Sequence, residues 1–236
     1  MKAIIIDDER LARKELNSLL ENHPEIEILD EASNADEAVE KIEQHNPDVI
    51  FLDIQMPGKT GFELLESLER VPQVIFTTAY DEFALKAFDF NALDYLLKPI
   101  QADRLSESIN KIKTKLPRKG GKDRQLGAED QVFVKDGDKC WFVKLEDVRL
   151  FESDGNYIKV YFDKFKPMIH KSLNALDERL DDRSFFRASR KHIINLGWVE
   201  SIDTWFNGGL LVQLKGGEKI EVSRRQSARF REMMSL

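Results

Sequence analysis

Four groups of side chains have the types and spacing for phosphoryl chemistry. Asp7 and Asp8 follow the apolar run Ile4-Ile5-Ile6, and Asp53 follows Val49-Ile50-Phe51-Leu52. Thr77 and Thr78 follow Val74-Ile75-Phe76, and Lys98 follows Tyr95-Leu96-Leu97. Crowded carboxylates repel one another, and a hard divalent cation relieves that repulsion. Oxygen-only ligands point to Mg²⁺. A carboxylate can also act as a nucleophile and accept a phosphoryl group as an acyl phosphate. One lysine and one hydroxyl beside it would supply positioning and charge neutralisation. The segment Asp7-Asp8-Glu9 has no Gly or Ser amides to cradle a free phosphate, which argues against a nucleotide. Each residue also has a plainer reading. A strand-end Asp can cap the next helix, Thr78 can cap a helix near Asp81, and Lys98 can be a surface lysine. Their joint occurrence favours a site.

For these residues to meet, the elements before them must end at one edge. Lys2–Asp7, Ile26–Ala32, Asp48–Leu52, Val74–Thr77 and Tyr95–Leu97 read as strands. Their continuous apolar runs suit parallel strands buried on both faces. Between them, Arg10–Leu20 repeats Leu11, Leu16, Leu19 and Leu20 at helical spacing. Asn34 can cap a helix with Ala35, Ala38, Val39 and Ile42 on its apolar face. Gly61–Leu68, Asp81–Phe88 and Asp103–Leu116 complete the helices. Alternating β and α units predict a doubly wound α/β domain with a five-stranded parallel sheet, flavodoxin-like, over residues 1–116. In such sheets ligands bind beyond the carboxyl ends of the strands, where the strand order reverses. Asp8 and Asp53 are then expected to face each other there, with Thr78 and Lys98 alongside.

The Gly-, Pro- and charge-rich stretch from Pro117 breaks this pattern and is read as a linker over 117–130. Residues 131–236 have a different texture, mostly antiparallel β. Val132–Val134, Cys140–Val143, Val148–Ser153, Ile158–Phe162, Lys166–Ile169 and Leu210–Leu214 are short, β-branched and aromatic. Asp136-Gly137-Asp138, Asp154-Gly155-Asn156, Asn207-Gly208-Gly209 and Lys215-Gly216-Gly217 mark turns. Helices are expected at Leu173–Leu180 and at the C-terminus.

Composition narrows the function classes. The 236 residues are 42% hydrophobic and 33% charged, which suits a globular chain. No apolar run approaches the roughly 20 residues that span a bilayer, and the N-terminus lacks the pattern of a signal peptide. The one cysteine, Cys140, excludes an internal disulfide or a cysteine zinc site and is read as a core residue. A cytoplasmic location is expected. The net charge of −7 is divided unequally. Residues 1–116 carry 13 basic and 24 acidic side chains, whereas 117–236 carry 23 and 19. The second half, at net +4, has the sign that suits a polyanion partner.

The segments Ile4-Ile5-Ile6-Asp7-Asp8-Glu9, Phe51-Leu52-Asp53-Ile54-Gln55-Met56-Pro57-Gly58, Thr77-Thr78-Ala79 and Asp94-Tyr95-Leu96-Leu97-Lys98-Pro99 resemble the motifs of CheY-like receiver domains, in order and at family spacing. The resemblance implies that Asp53 is the phosphoacceptor of a sensor histidine kinase. It implies Mg²⁺ held by Asp7, Asp8, Asp53 and the main-chain carbonyl of Gln55. Thr78 would bond the phosphoryl oxygen, Lys98 would pair with its charge before a cis bond to Pro99, and Tyr95 would be the aromatic switch. Homodimers would form on phosphorylation, through the Asp81–Phe88 helix, the following strand and the last helix.

Residues 131–236 resemble the LytTR-type DNA-binding domain, through Phe151-Glu152-Ser153-Asp154-Gly155-Asn156-Tyr157-Ile158-Lys159-Val160, Phe185-Phe186-Arg187, His192-Ile193-Ile194-Asn195-Leu196 and Val222-Ser223-Arg224-Arg225. The segment Tyr80–Phe88 also looks like the receiver type that accompanies this domain. In that family loops, not a recognition helix, enter successive major grooves of double-stranded DNA. The positions implied are Asn156 and Tyr157 on the first loop, Arg187, Arg190 and Lys191 on the second, and Arg224 and Arg225 on the third. The chain departs from the family pattern at Ser189 and Lys191, where a His and a small polar residue are common. Trp141, Trp198, Trp205, Phe185 and Phe186 are read as core. The reading is therefore a response regulator of transcription, not an enzyme. A phosphatase of the haloacid-dehalogenase type would need an acid at Gln55. A receiver-controlled module that binds protein or RNA stays open as the alternative.

Overall fold

Strand β1 (Lys2–Ile6) alternates its side chains between two buried faces, so both sides of the sheet must be covered by helices. The computed structural model describes residues 1–79, 94–115, 125–137 and 139–234, and the chain divides into two units. In the first, β1, β2 (Glu27–Ala32), β3 (Val49–Asp53), β4 (Gln73–Thr78) and β5 (Asp94–Leu97) form a parallel sheet in the order β2-β1-β3-β4-β5. The order reverses between β1 and β3, as a flavodoxin-like sheet requires. Ile4, Ile6, Ile50, Leu52 and Phe76 pack with α2 (Ala35–His45) and α3 (Gly61–Ser67). Ala3, Ile5, Phe51 and Ile75 pack on the other face with α1 (Arg10–Leu20) and α4 (Ala102–Lys115). Asn34 caps α2 by accepting from the Glu37 amide, and Thr60 with Glu63 closes a capping box on α3.

Two expectations for this unit need adjustment. Leu11 is 79% exposed, so the apolar face of α1 rests on Leu16 and Leu20. The strand expected at Asp48–Leu52 runs one residue further and takes in Asp53. The expected helix Asp81–Phe88 lies outside the described residues.

Next come β6 (Gln131–Asp136) and β7 (Lys139–Lys144), a two-stranded hairpin. Its residues 131–133 and 137–142 cluster with the first unit. Phe133 stacks on Phe62 at 6.3 Å between centroids, and Phe142 lies 6.2 Å from Phe76. Cys140 is buried in the same core.

The second unit holds β8 (Val148–Asp154), β9 (Tyr157–Phe162), β10 (Met168–Ile169), β11 (Phe185–Arg187) and β12 (His192–Asn195), in an antiparallel sheet ordered β10-β9-β8-β12-β11. A second sheet, β13 (Val199–Thr204), β14 (Leu210–Leu214) and β15 (Lys219–Val222), packs with it through Leu150, Phe186, Ile194, Val212 and Ile220. Phe230 of α6 (Arg224–Met233) fills the same core. The end of the expected linker is built into this unit. Leu126 accepts the Asp181 amide and donates to the Arg179 carbonyl, while the buried Asp130 carboxylate accepts the Gly127 amide. The expected helix Leu173–Leu180 is shorter, α5 (Leu173–Asp177), because Leu180 turns into the bridge with Leu126. Only Met168–Ile169 of the expected strand Lys166–Ile169 pairs. Trp141, Phe185 and Phe186 are buried and Trp198 is half-buried, but Trp205 is 37% exposed at the β13–β14 turn and is not core.

Asn195 links three segments of this unit. Its buried amide donates to the carbonyls of Leu145 and Val148 at 3.2 and 2.8 Å, and its oxygen accepts from Gly197 at 2.9 Å. Asn195→Ala leaves buried carbonyls unpaired and is expected to cost about 1–3 kcal/mol. Urea unfolding followed by tryptophan fluorescence measures this.

Candidate functional site

The carboxyl ends of β1, β3, β4 and β5 bring the first site together. Asp7 is 3% exposed, Asp53 5% and Thr78 0%. Lys98 Nζ lies 2.7 Å from Asp7 Oδ2 and 2.7 Å from Asp53 Oδ2. Asp7, Asp8 and Asp53 offer oxygens within 4.8 Å of one another. Asp8 and Asp53 come together as the strand pattern suggested, and Asp7, more deeply buried than Asp8, joins them and shares Lys98 with Asp53. Asp7 Oδ1 accepts the Glu9 amide at 2.9 Å and Asp53 Oδ1 the Gln55 amide at 3.1 Å. Gln55 is exposed, at the start of the loop after β3. That loop closes tightly. Gly61 donates to the Ile54 carbonyl, and a Cβ on Gly61 would sit 2.4 Å from the Asp53 carbonyl oxygen, so only glycine fits. The bond between Lys98 and Pro99 is cis, and Tyr95 is half-buried against the core.

Burial raises the pKa of Asp7 above its ordinary value, although the Lys98 hydrogen bond opposes it. Burial also works against the Lys98 ammonium, yet its bonds to Asp53 and Asp7 prevail and raise its pKa. Three carboxylates against one ammonium leave an excess of negative charge. An all-oxygen donor set with that excess fits a hard divalent cation. Arg13 is a residue the motifs did not single out. Its Nη1 donates to the Asp7 carbonyl at 2.7 Å and the Asp8 carbonyl at 3.3 Å, and its Nε pairs with Glu31 at 3.0 Å. It fixes the loop that carries two acids. A basic residue one turn into the helix after an acidic loop was the signal available.

Three loops of the second unit meet through backbone bonds. The Ser153 amide donates to the Lys191 carbonyl at 2.8 Å, which joins the β8–β9 turn to the β11–β12 turn. The Ser223 amide donates to the Ala188 carbonyl at 3.2 Å, which joins the β11–β12 turn to the start of α6. Asn156, Tyr157, Arg190, Lys191, Arg224 and Arg225 are all exposed on these loops. Arg187 differs. It is half-buried, and its guanidinium donates to the carbonyls of Ser189, Leu173 and Arg190 and to Asn174 Oδ1, at 2.6–3.1 Å.

The chain resembles known proteins along its whole length. Residues 3–110 match the family model of the response regulator receiver domain, and 138–235 that of the LytTr DNA-binding domain. "Sensory transduction protein LytT" of Enterococcus faecalis is 33% identical over 241 residues, covering 100% of both chains. An uncharacterized response regulatory protein of Vibrio cholerae is 36% identical over 236 residues, with 99% of this chain and 98% of the relative covered. A LytT protein of Bacillus anthracis is 31% identical over 245 residues and covers 100% of both. The parallel sheet with its acidic pocket is a response regulator receiver domain. With its β-rich DNA-binding output domain, the chain belongs to the LytT/LytR-type response regulators, transcription factors rather than enzymes. Among the described residues, no helix is long and apolar enough to cross a membrane.

His192 anchors the second loop, with Nδ1 3.2 Å from Ser189 Oγ and Nε2 3.8 Å from Glu152. Burial lowers its pKa from the ordinary 6.5, Lys191 and Arg187 add to this, and Glu152 opposes it. The unfolded chain therefore binds the proton first, so stability is full above pH 6.5 and falls as the pH drops through it. His192→Gln is expected to lose less stability than the wild type between about pH 7.5 and pH 5.5 in urea unfolding.

Proposed function

We propose that Asp53 accepts a phosphoryl group from a sensor histidine kinase and that this switches binding of promoter DNA by the output domain. The observation that carries the reading is Lys98 held 2.7 Å from both Asp7 and Asp53 beside a third carboxylate, in a chain of this family. In the transfer, an Asp53 oxygen bonds to phosphorus as the bond from phosphorus to the kinase imidazole breaks, and the imidazole leaves with the electron pair. Asp7, Asp8, Asp53 and the main-chain carbonyl of Gln55 would hold Mg²⁺, which when bound supplies charge neutralisation for the incoming phosphoryl group. Lys98 neutralises the phosphoryl charge on the other side, and Thr78 donates a hydrogen bond to it. Adding about −1 to −2 charge at one loop biases a two-state element, here the Thr78–Tyr95 pair. Phosphorylation promotes a homodimer, and the protein acts in the cytoplasm.

Incubation with acetyl phosphate and Mg²⁺, followed by mass mapping, is expected to label Asp53. EDTA and Asp53→Asn are each expected to abolish that labelling. Persistent labelling of Asp53→Asn elsewhere would move the acceptor, and indifference to EDTA would remove the cation.

On DNA, Arg190 and Arg224 read bases, Lys191 and Arg225 meet phosphates, and Asn156 and Tyr157 complete the surface. Arg190→Ala and Arg224→Ala are expected to cost about 1–3 kcal/mol each and to relax preference at one base position. Lys191→Ala and Arg225→Ala weaken all sequences alike and lower the salt slope by about 1. Binding-site selection with a salt titration separates the two behaviours. Unchanged preference in both arginine variants would make them phosphate clamps.

A further inference from the structure

A pocket of about 640 Å³ opens between the β8–β9 turn, the segment from β10 to α5 and the β11–β12 turn. Asn156, His170, Lys171, Ser172, Arg187 and Arg190 are among its lining residues, and among the described residues no acidic side chain lines it. His170, Lys171 and Ser172 belong to no motif and to none of the three loops. They are exposed, and the His170 ring meets Tyr157 edge-on at 5.4 Å between centroids. The pocket walls are tied together. Ser153 is bonded to Lys191 across one side. Arg187 binds the Leu173 carbonyl on one wall and the Ser189 and Arg190 carbonyls on the other.

We propose that this pocket is a phosphate seat. One phosphodiester of the bound DNA enters it and is held by Lys171 and Ser172, with Arg187 as a positioning residue that sets the distance between seat and second loop. The proposal rests on the DNA-binding reading above and deepens it. A phosphodiester is an acceptor-only anion, and the lining supplies ammonium, hydroxyl, amide and imidazole donors. The space exceeds a phosphate group, which leaves room for the flanking sugars. Arg187 cannot be the anion's main ligand, because its N–H groups already serve four acceptors. Its planar fork instead joins α5 to the turn that carries Arg190, a task that lysine, with one donor head, cannot perform.

The test uses the full chain and the duplex recovered by binding-site selection. Lys171→Ala is expected to weaken all sequences alike and to lower the salt slope by about 1, with base preference unchanged. A scan with single neutral methylphosphonates should find one position that costs the wild type affinity and costs Lys171→Ala nothing further. Arg187→Lys keeps the charge but loses the fork. It should keep the salt slope while reducing affinity and shifting preference at the base read by Arg190. Full retention of affinity and preference by Arg187→Lys would overturn the positioning role. If Lys171→Ala binds DNA as the wild type does while Arg190→Ala and Arg224→Ala are impaired, the seat is wrong and the DNA reading stands. If all three bind unchanged, the DNA reading itself fails. A last arm titrates inorganic phosphate and a nucleoside monophosphate without DNA. Tight, Lys171-dependent binding of either, with DNA binding unaffected by Lys171→Ala, would assign the pocket to a free phosphate ester and overturn the proposal.

Discussion

Lys98 Nζ sits between two buried carboxylates, 2.7 Å from Asp7 and 2.7 Å from Asp53. Everything in the first unit follows from the need to place those three groups together. Two acids at strand ends repel and lose solvation, so the ends of β1 and β3 tolerate them only with a cation across the gap. The sheet order places β1 beside β3 and sets β4 between β3 and β5, so Lys98 must reach back from the β5 end past Thr78. Arg13 holds the loop from below through the Asp7 and Asp8 carbonyls, and Gly61 lets the β3–α3 connection close over the Asp53 carbonyl. The pocket is pre-organised yet two positive charges short of neutrality, a condition suited to a divalent cation and a transferable anion.

The second unit solves a different problem. Side chains from three sequence-distant loops must form one surface, and loops are mobile unless tied. Backbone bonds from Ser153 to Lys191 and from Ser223 to Ala188 tie them, and Arg187 ties the second loop to α5. Beneath that surface, Asn195 and the core around Phe186, Val212 and Phe230 give the loops a rigid base. The modest positive charge of this half implies that fit and a few directed contacts, more than bulk attraction, govern affinity.

The acidic pocket was legible because its residues end apolar strands, and parallel strands share one edge. That Asp8 and Asp53 would come together was legible, but that Lys98 would bridge Asp7 and Asp53 was not, because adjacent strand residues point to opposite faces and pattern alone does not say which one reaches the lysine. Arg13 was marked only by its place one turn into α1 after an acidic loop, and its role depends on the direction of its side chain, which spacing does not give. The basic loop residues were visible by type and motif, but Arg187 looked like its neighbours until its four acceptors were seen. Lys171 carried no signal, since it lies between a two-residue strand and a five-residue helix that pattern alone blurs together. Trp205 misled because aromatics usually mark a core, whereas here a turn holds one in solvent beside Phe206.

The central claim is that charge added at Asp53 changes how the output domain binds DNA. The most direct measurement is the affinity of the full chain for its selected duplex, with and without acetyl phosphate and Mg²⁺, in the wild type and in Asp53→Asn. On the proposed reading a phosphorylation-promoted dimer would engage two half-sites at once, so the wild type should bind more tightly when phosphorylated, within the range of about 5- to 150-fold typical of coupled sites. Asp53→Asn should show no change. Equal affinity in both states of the wild type, or an equal shift in Asp53→Asn, would contradict the account.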